Sequence, residues 1–252
     1  MAPRLEFALL GPLEVRLDGE PVAIGGLRRR SVLAMLVLDA GKVVSIPRLI
    51  GGVWGEEPPE TAATALHGHV SHLRRLLGDV IETRAPGYVL AVDPETVDAN
   101  RFEALLERAR AEQADGRRDD ARATLDEALG LWRGPPLADL VDAPFASAAL
   151  PALEELGVAA REERIEAEIG AGRHAEVVPE LKALVVEHPL RERAWRQLLV
   201  ALHRSGRRAE ALDAYDTARR TFSVAVLRVR HGRGSDELLS TEGAEPAGPA
   251  GR

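Results

Sequence analysis

Apolar residues recur every three or four positions between Thr61 and Leu77, a pattern typical of an amphipathic helix. The apolar stripe consists of Ala62, Leu66, Val70, Leu73 and Leu77. The opposite side carries Thr64, Gly68, Ser71 and Arg75, flanked by His67, His72 and Arg74. The segment contains no Asp or Glu, so this side suits entry into a groove lined with phosphates. A surface helix with solvated arginines is the alternative interpretation.

The residues before this helix predict a small sheet and a first helix. Short β-prone runs lie at about 5–10, 13–17 and 22–24. Asp18-Gly19 between the last two runs is a strong hairpin turn pair. Residues 27–40 predict a helix whose first turn is basic, with Arg28, Arg29 and Arg30. Because basic residues oppose the helix dipole there, these arginines indicate either phosphate contact or a solvated helix end.

A second helix and a β-hairpin complete the pattern on either side of the Thr61–Leu77 helix. Ser45 as N-cap and Pro47 in the first turn predict a short helix over 46–54. Two β-prone runs, 80–84 and 88–92, flank a Pro86-Gly87 turn, with Arg84 near the tip. Three helices followed by a hairpin predict a winged helix-turn-helix, whose third helix enters the major groove and whose wing reaches the flanking backbone.

Two runs carry a resemblance to a known family: VSHLRRLLG at 70–78 and TRAPGYVL at 83–90. With the helices before them, they resemble the OmpR-type DNA-binding domain and, more narrowly, the SARP family of antibiotic-cluster activators. The resemblance covers nearly all of residues 5–92. It implies sequence-specific DNA binding without catalysis, at tandem direct repeats near a promoter.

From about residue 98 the sequence is helical and contains an internal repeat. Gly-Arg pairs begin at Gly116, Gly172 and Gly206, and each precedes a helical stretch. The second and third pairs start 34 residues apart, the tetratricopeptide period. The predicted helical hairpins are 159–171 with 176–187 and 192–205 with 209–221. Residues 98–190 also resemble the transcriptional activation domain of SARP proteins, which implies contact with RNA polymerase holoenzyme and a side-by-side homodimer on DNA.

These patterns predict a mainly α protein with an N-terminal α+β winged helix-turn-helix and an all-α tetratricopeptide-like domain. The predicted division is 1–95 for DNA binding, 96–228 for activation and 229–252 for a divergent, disordered tail. The tail departs from the family: residues 224–229 are β-prone, and 241–252 are rich in Gly, Pro and Ala, which predicts disorder.

Composition narrows the function further. The 252 residues include no cysteine, which excludes disulfides and thiolate chemistry, and no apolar run is long enough to span a membrane. The net charge is −7, and residues 1–95 hold 10 basic and 12 acidic side chains, so a DNA surface must be a local patch. We expect a cytoplasmic, nucleoid-associated protein.

The sequence contains no phosphate loop and no GxSxG or HExxH motif, so we expect no enzyme, catalytic residue or cofactor. His67, His69 and His72 do not share one helix face and have no carboxylate nearby, so we expect no metal. The residues predicted to read bases are Thr64, His67, Gly68, Ser71 and Arg75. The residues predicted to contact phosphates are Arg74, Arg84, Arg28, Arg29 and Arg30, and His72 is predicted to donate to phosphates or bases. The alternative is a protein-interaction adaptor whose winged helix no longer reads DNA.

Overall fold

The computed structural model describes residues 4–238, with side chains through residue 224. The chain forms two compact units whose boundary lies between Ala167 and Glu168. The predicted fold class is confirmed: small sheets and a winged helix occupy the N-terminal part, and helices make up most of the rest. The functional division at residue 95 stays a prediction, because compactness and function need not divide a chain at the same place.

The first unit begins with the predicted antiparallel sheet, β1-β2-β3. Its strands are β1 (Leu5–Ala8), β2 (Glu14–Leu17) and β3 (Glu20–Pro21). The third strand was predicted at 22–24 and lies two residues earlier. The reason is the tight turn at Asp18 and Gly19, both at positive φ, which places Glu20 directly opposite Leu17.

The winged helix follows. Its helices are α1 (Leu27–Leu38), α2 (Ile46–Trp54) and α3 (Ala62–Leu77). Its strands are β4 (Val44–Ser45), β5 (Ile81–Arg84) and β6 (Gly87–Leu90), in the order β4-β6-β5. Every member of the predicted apolar stripe of α3 is buried, so the orientation of this helix is confirmed.

Short signals at the helix ends explain where these elements begin. Ser45 caps α2 as predicted, because its hydroxyl accepts the N–H of Arg48 at 3.4 Å. Thr61 is the N-cap residue of α3, and its side chain makes no capping hydrogen bond. Strand β4 was not predicted, and its pairing with β6 depends on Gly87. A Cβ on Gly87 would lie 1.9 Å from the Val44 carbonyl oxygen.

The core of the first unit continues past the winged helix. A 3-10 turn (Pro94–Thr96) leads into α4 (Asp98–Ala114), α5 (Arg118–Leu129) and α6 (Ala146–Gly170), whose last three residues belong to the second unit. Phe7, Leu33 and Phe102 belong to one buried cluster. The carboxylate of Asp98 accepts the N–H groups of Leu9 and Leu10 at 2.7 and 3.0 Å. The N-terminal sheet and α4 are therefore joined by apolar packing and by buried hydrogen bonds.

The predicted Gly-Arg repeat has a structural cause. Gly116, Gly172 and Gly206 have φ angles of +77°, +85° and +78°. In each case the N–H of the following arginine bonds a carbonyl five residues earlier, the Schellman arrangement that ends a helix. The repeat therefore marks the same turn between successive helices three times.

The second unit contains α7 (Val178–Glu187), α8 (Glu192–Arg204) and α9 (Arg208–Leu238). Residues 224–229 are β-prone in sequence but helical in the structure, and α9 also continues through residues 229–238 of the predicted tail. Extending an existing helix adds one hydrogen bond per residue without a new nucleus, which outweighs local β-propensity. Residues 239–252 of the predicted tail lie outside the described residues.

Candidate nucleic-acid interface

The outward face of α3 is polar and uncovered. Thr64, Gly68, Ser71 and Arg75 are exposed on it, and His67 is exposed beside them. A Cβ on Gly68 would meet no atom within 4 Å, so the backbone near the middle of α3 is covered neither by a side chain of its own nor by a neighbouring group. The structure therefore brings together all five residues predicted to read bases, around a point where a base pair could approach the backbone.

Positive charge from Arg29 of α1 adds to this face at one side, next to His72. The pKa of His72 is lowered by desolvation and by the positive charges of Arg29 and Arg75. The Nη2 atom of Arg75 lies 3.1 Å from Nδ1 of His72. A neutral His72 can accept a hydrogen bond from Arg75, which orients that guanidinium. The result is a cationic strip that runs from the first turn of α1 to the last turn of α3.

Trp54 contacts two side chains at the α1 end of this strip. Its ring lies 5.7 Å from the guanidinium carbon of Arg28 and stacks on His69 at 6.2 Å between ring centroids. Burial, followed by the charges of Arg29 and Arg28, lowers the pKa of His69. Trp54 itself is half-buried. Its exposed part holds Arg28 by a cation–π contact, so both phosphate contact and a solvated helix end remain compatible with Arg28.

Arg29 belongs to α1, and its positive charge acts on His72 of α3. Its Nη1 donates to the Gly25 carbonyl at 3.0 Å. Its buried Nε makes no hydrogen bond within the described residues. Because this atom is buried, it is not the one that a phosphate would meet. Arg29 as a whole is half-buried, and its phosphate contact stays a prediction.

Arg30 has a different role from its neighbours. Its Nε and Nη2 atoms both donate to Oδ2 of Asp139, Nε at 2.7 Å. Nη2 also donates to the Leu13 carbonyl at 2.7 Å, and Nη1 to the Ile24 carbonyl at 3.3 Å. The prediction grouped Arg30 with the phosphate contacts. Its donors are used within the protein, so the fold itself accounts for this arginine.

Arg74 also makes intramolecular contacts. Its Nε donates to the Ile81 carbonyl at 2.7 Å, and its Nη2 to the Thr83 hydroxyl at 2.8 Å. Its guanidinium carbon lies 5.7 Å from the centroid of the Tyr88 ring. The predicted phosphate contact of Arg74 stays a prediction. Within the protein, its side chain joins α3 to both strands of the wing and so fixes the position of the wing beside α3.

The wing places Arg84 in solvent. Its Nη2 lies 2.8 Å from a carboxylate oxygen of Glu82, an exposed ion pair that contributes little to stability. A phosphate could therefore replace Glu82 as its partner. The sequence did not single out Tyr88 as a site residue, although its hydroxyl lies 2.6 Å from Nδ1 of His67. The glycine-tyrosine pair in the wing sequence was the available signal.

Metal sites and membrane-spanning helices are two other features that would indicate a different function. Within residues 4–238, no three His, Asp or Glu side chains are arranged to hold a metal ion. In the same part of the chain, none of the helices combines the length and apolar character needed to cross a membrane.

The fold and this surface define a winged-helix regulator joined to a helical activation domain. The family model for the C-terminal domain of transcriptional regulatory proteins matches residues 22–92, and that for the bacterial transcriptional activator domain matches residues 97–226. Among the similar proteins is the regulatory protein DnrI of Streptomyces peucetius. It is 37% identical over 230 residues, which cover 86% of this chain and 85% of DnrI. The chain belongs to the SARP family of transcriptional regulators.

Longer regulators share the same architecture. The transcriptional regulatory protein EmbR of Mycobacterium tuberculosis is 41% identical over 227 residues, which cover 87% of this chain and 58% of EmbR. A solved structure of Mycobacterium tuberculosis EmbR in complex with a low-affinity phosphopeptide superposes with a TM-score of 0.82 at 39% identity. The superposition covers 97% of this chain and 62% of that chain. The chain therefore spans somewhat more than half the length of EmbR.

Proposed function

We propose that the protein is a sequence-specific DNA-binding activator of transcription. The observation that carries this proposal is the exposed, acid-free face of α3, continued by Arg28 and Arg29 of α1. Phosphates on both sides of a major groove would meet arginines at the edges of this face, while Thr64, Gly68 and Ser71 lie between them at the base edges. Membership of the SARP family supports the same function.

The proposed targets are promoters of a secondary-metabolite gene cluster, as the SARP resemblance implies. Two copies would bind tandem direct repeats side by side, about one helical turn apart on one face of the duplex. The helical domain would support this homodimer and contact RNA polymerase holoenzyme. A protein of this function acts in the cytoplasm, at the nucleoid.

The test of DNA recognition is Arg75→Ala in a gel-shift assay on promoters flanking the gene. Loss of a specific base contact costs about 1–3 kcal/mol, roughly a 5- to 150-fold weaker affinity. Arg101→Ala is the matched control, because Arg101 is an exposed arginine on α4, outside the recognition face. Binding of the parent should also fall steeply with salt. Equal affinity of the parent and Arg75→Ala would rule out α3 as the recognition helix.

One observation favours a second function, that of a protein-interaction adaptor. Val178 and Leu181 on α7 are 1% and 0% exposed. Their equivalents one 34-residue repeat later, Leu212 and Tyr215 on α9, are 67% and 54% exposed. An apolar face that is buried in one repeat and open in the next suits a protein partner. The adaptor function predicts that selection from random duplexes enriches no sequence, whereas pull-down through the parent, but not through Leu212→Glu, recovers a partner.

A further inference from the structure

A hydrogen bond connects the recognition helix to the wing at the edge of the candidate interface. The Tyr88 hydroxyl lies 2.6 Å from Nδ1 of His67, and the two rings meet edge to face at 73°. Tyr88 is 5% exposed, whereas His67 is exposed. The bond therefore joins an exposed imidazole to a phenol that is fixed by burial.

Arg74 contacts the same phenol ring. Its guanidinium lies over the Tyr88 ring and also hydrogen-bonds the Ile81 carbonyl and the Thr83 hydroxyl. Both groups belong to β5, the strand that pairs with β6, which carries Tyr88. The position of the Tyr88 hydroxyl is thus set by the wing, independently of any bound nucleic acid.

The chemistry of the pair determines which nitrogen of His67 carries the proton. A phenol hydroxyl is a good donor, and the unprotonated nitrogen of a neutral imidazole accepts better than a phenol oxygen. Tyr88 therefore donates to Nδ1, and the neutral ring must carry its hydrogen on Nε2. Because Nδ1 faces the wing, Nε2 is the nitrogen that a duplex against α3 can reach.

We propose that Tyr88 is a positioning residue that fixes His67 as an Nε2–H donor for reading DNA. A fixed donor in the major groove selects acceptors, which are the N7 of purines, the O6 of guanine and the O4 of thymine. It disfavours the amino group of cytosine, which is itself a donor. The inference rests on the proposed function and adds the chemical group that His67 recognises.

The protonation of the ring can be measured without DNA. We expect two-bond ¹H–¹⁵N spectra of the histidine-labelled protein, at about pH 8 where ordinary imidazoles are neutral, to show hydrogen on Nε2 of His67. The signal is assigned by its loss in His67→Gln. Tyr88→Phe should give a mixture of both tautomers, whereas Tyr215→Phe, a change at the other tyrosine, should leave it unchanged. Hydrogen on Nδ1 in the parent would overturn the proposal.

The consequence for recognition is measured by selection from a random duplex library. We expect the parent to prefer an acceptor-bearing base at one position, and both His67→Ala and Tyr88→Phe to reduce that preference about three- to tenfold. The double variant should lose no more than His67→Ala alone, because both changes remove one interaction. Thermal unfolding of each variant verifies that it is folded.

The outcomes separate this inference from the function on which it rests. If the parent enriches no sequence, the proposed function fails as well. If the parent enriches a sequence and Tyr88→Phe keeps the full preference, only the role of Tyr88 is refuted. If Tyr88→Phe weakens all sequences equally, His67 contacts a phosphate or the effect is structural, and the inference is wrong.

Discussion

Replacing Arg30 by alanine should destabilise the protein instead of removing a DNA contact. The substitution removes an ion pair with Asp139 and a hydrogen bond to the Leu13 carbonyl. The side chains of Arg30 and Asp139 are 24% and 28% exposed, so the pair is only partly screened by solvent. Asp139 still accepts the Leu13 N–H at 2.7 Å, which limits the cost of its lost partner. From these contacts we expect a loss of about 2–3 kcal/mol.

The assay compares Arg30→Ala with Arg28→Ala, a change two residues earlier in the same helical turn. The midpoint of thermal unfolding should fall by about 4–12 °C for Arg30→Ala, since a unit of this size loses about 2–4 °C in its midpoint for each kcal/mol of lost stability. Arg28→Ala, which loses only an exposed cation–π contact, should shift the midpoint far less. Below the melting range, folded Arg30→Ala should bind DNA as the parent does. An unchanged midpoint combined with lost DNA affinity would refute this reasoning and make Arg30 a phosphate contact.

Other substitutions test the wing, the recognition surface and the second unit. Gly87→Ala should destabilise the wing by several kcal/mol in denaturant unfolding, because its Cβ would overlap the β4 backbone. Gly68→Ala, in open space within α3, should raise stability by up to about 1 kcal/mol, and the reasoning fails if the two changes act alike. The pKa of Glu210 is lowered to about 2 by Arg207 and Lys182, so its stabilisation is present above about pH 4.5 and lost as the pH falls toward 2. Glu210→Gln should therefore melt below the parent at pH 7, with a gap that closes on acidification; a gap independent of pH would contradict this assignment.

The parts of the fold that the sequence predicts are those with a repeated pattern. The stripe of α3 is read from a period of three to four residues, and each member is buried. The Gly-Arg repeat is read from its spacing, because only a residue that tolerates positive φ ends a helix in this way. Strand β4 could not be predicted, since two residues form no pattern and their partner lies in the wing.

The candidate site shows the same limit. Arg28, Arg29 and Arg30 are equivalent in sequence, and their roles differ because of their partners. The partner of Arg30 is Asp139, 109 residues away. Arg74 follows the pattern of a phosphate contact, but the fold brings Thr83 within reach of it. A periodic pattern predicts which face a side chain lies on, whereas its partners depend on the tertiary structure.

The bonds from Asp98 to Leu9 and Leu10 bear on how binding specificity could be exchanged between related regulators. A chimaera joined at residue 95 would leave these two N–H groups dependent on a foreign α4. The hydrogen bond that the Phe145 N–H donates to the Gly52 carbonyl, at 3.0 Å, would likewise join the winged helix to a foreign helical segment. The bond that an exposed side chain of α3 makes, from His67 to Tyr88, lies within the winged helix itself. Grafting the exposed side chains of α3 onto this scaffold is therefore the safer route to a regulator with a new target.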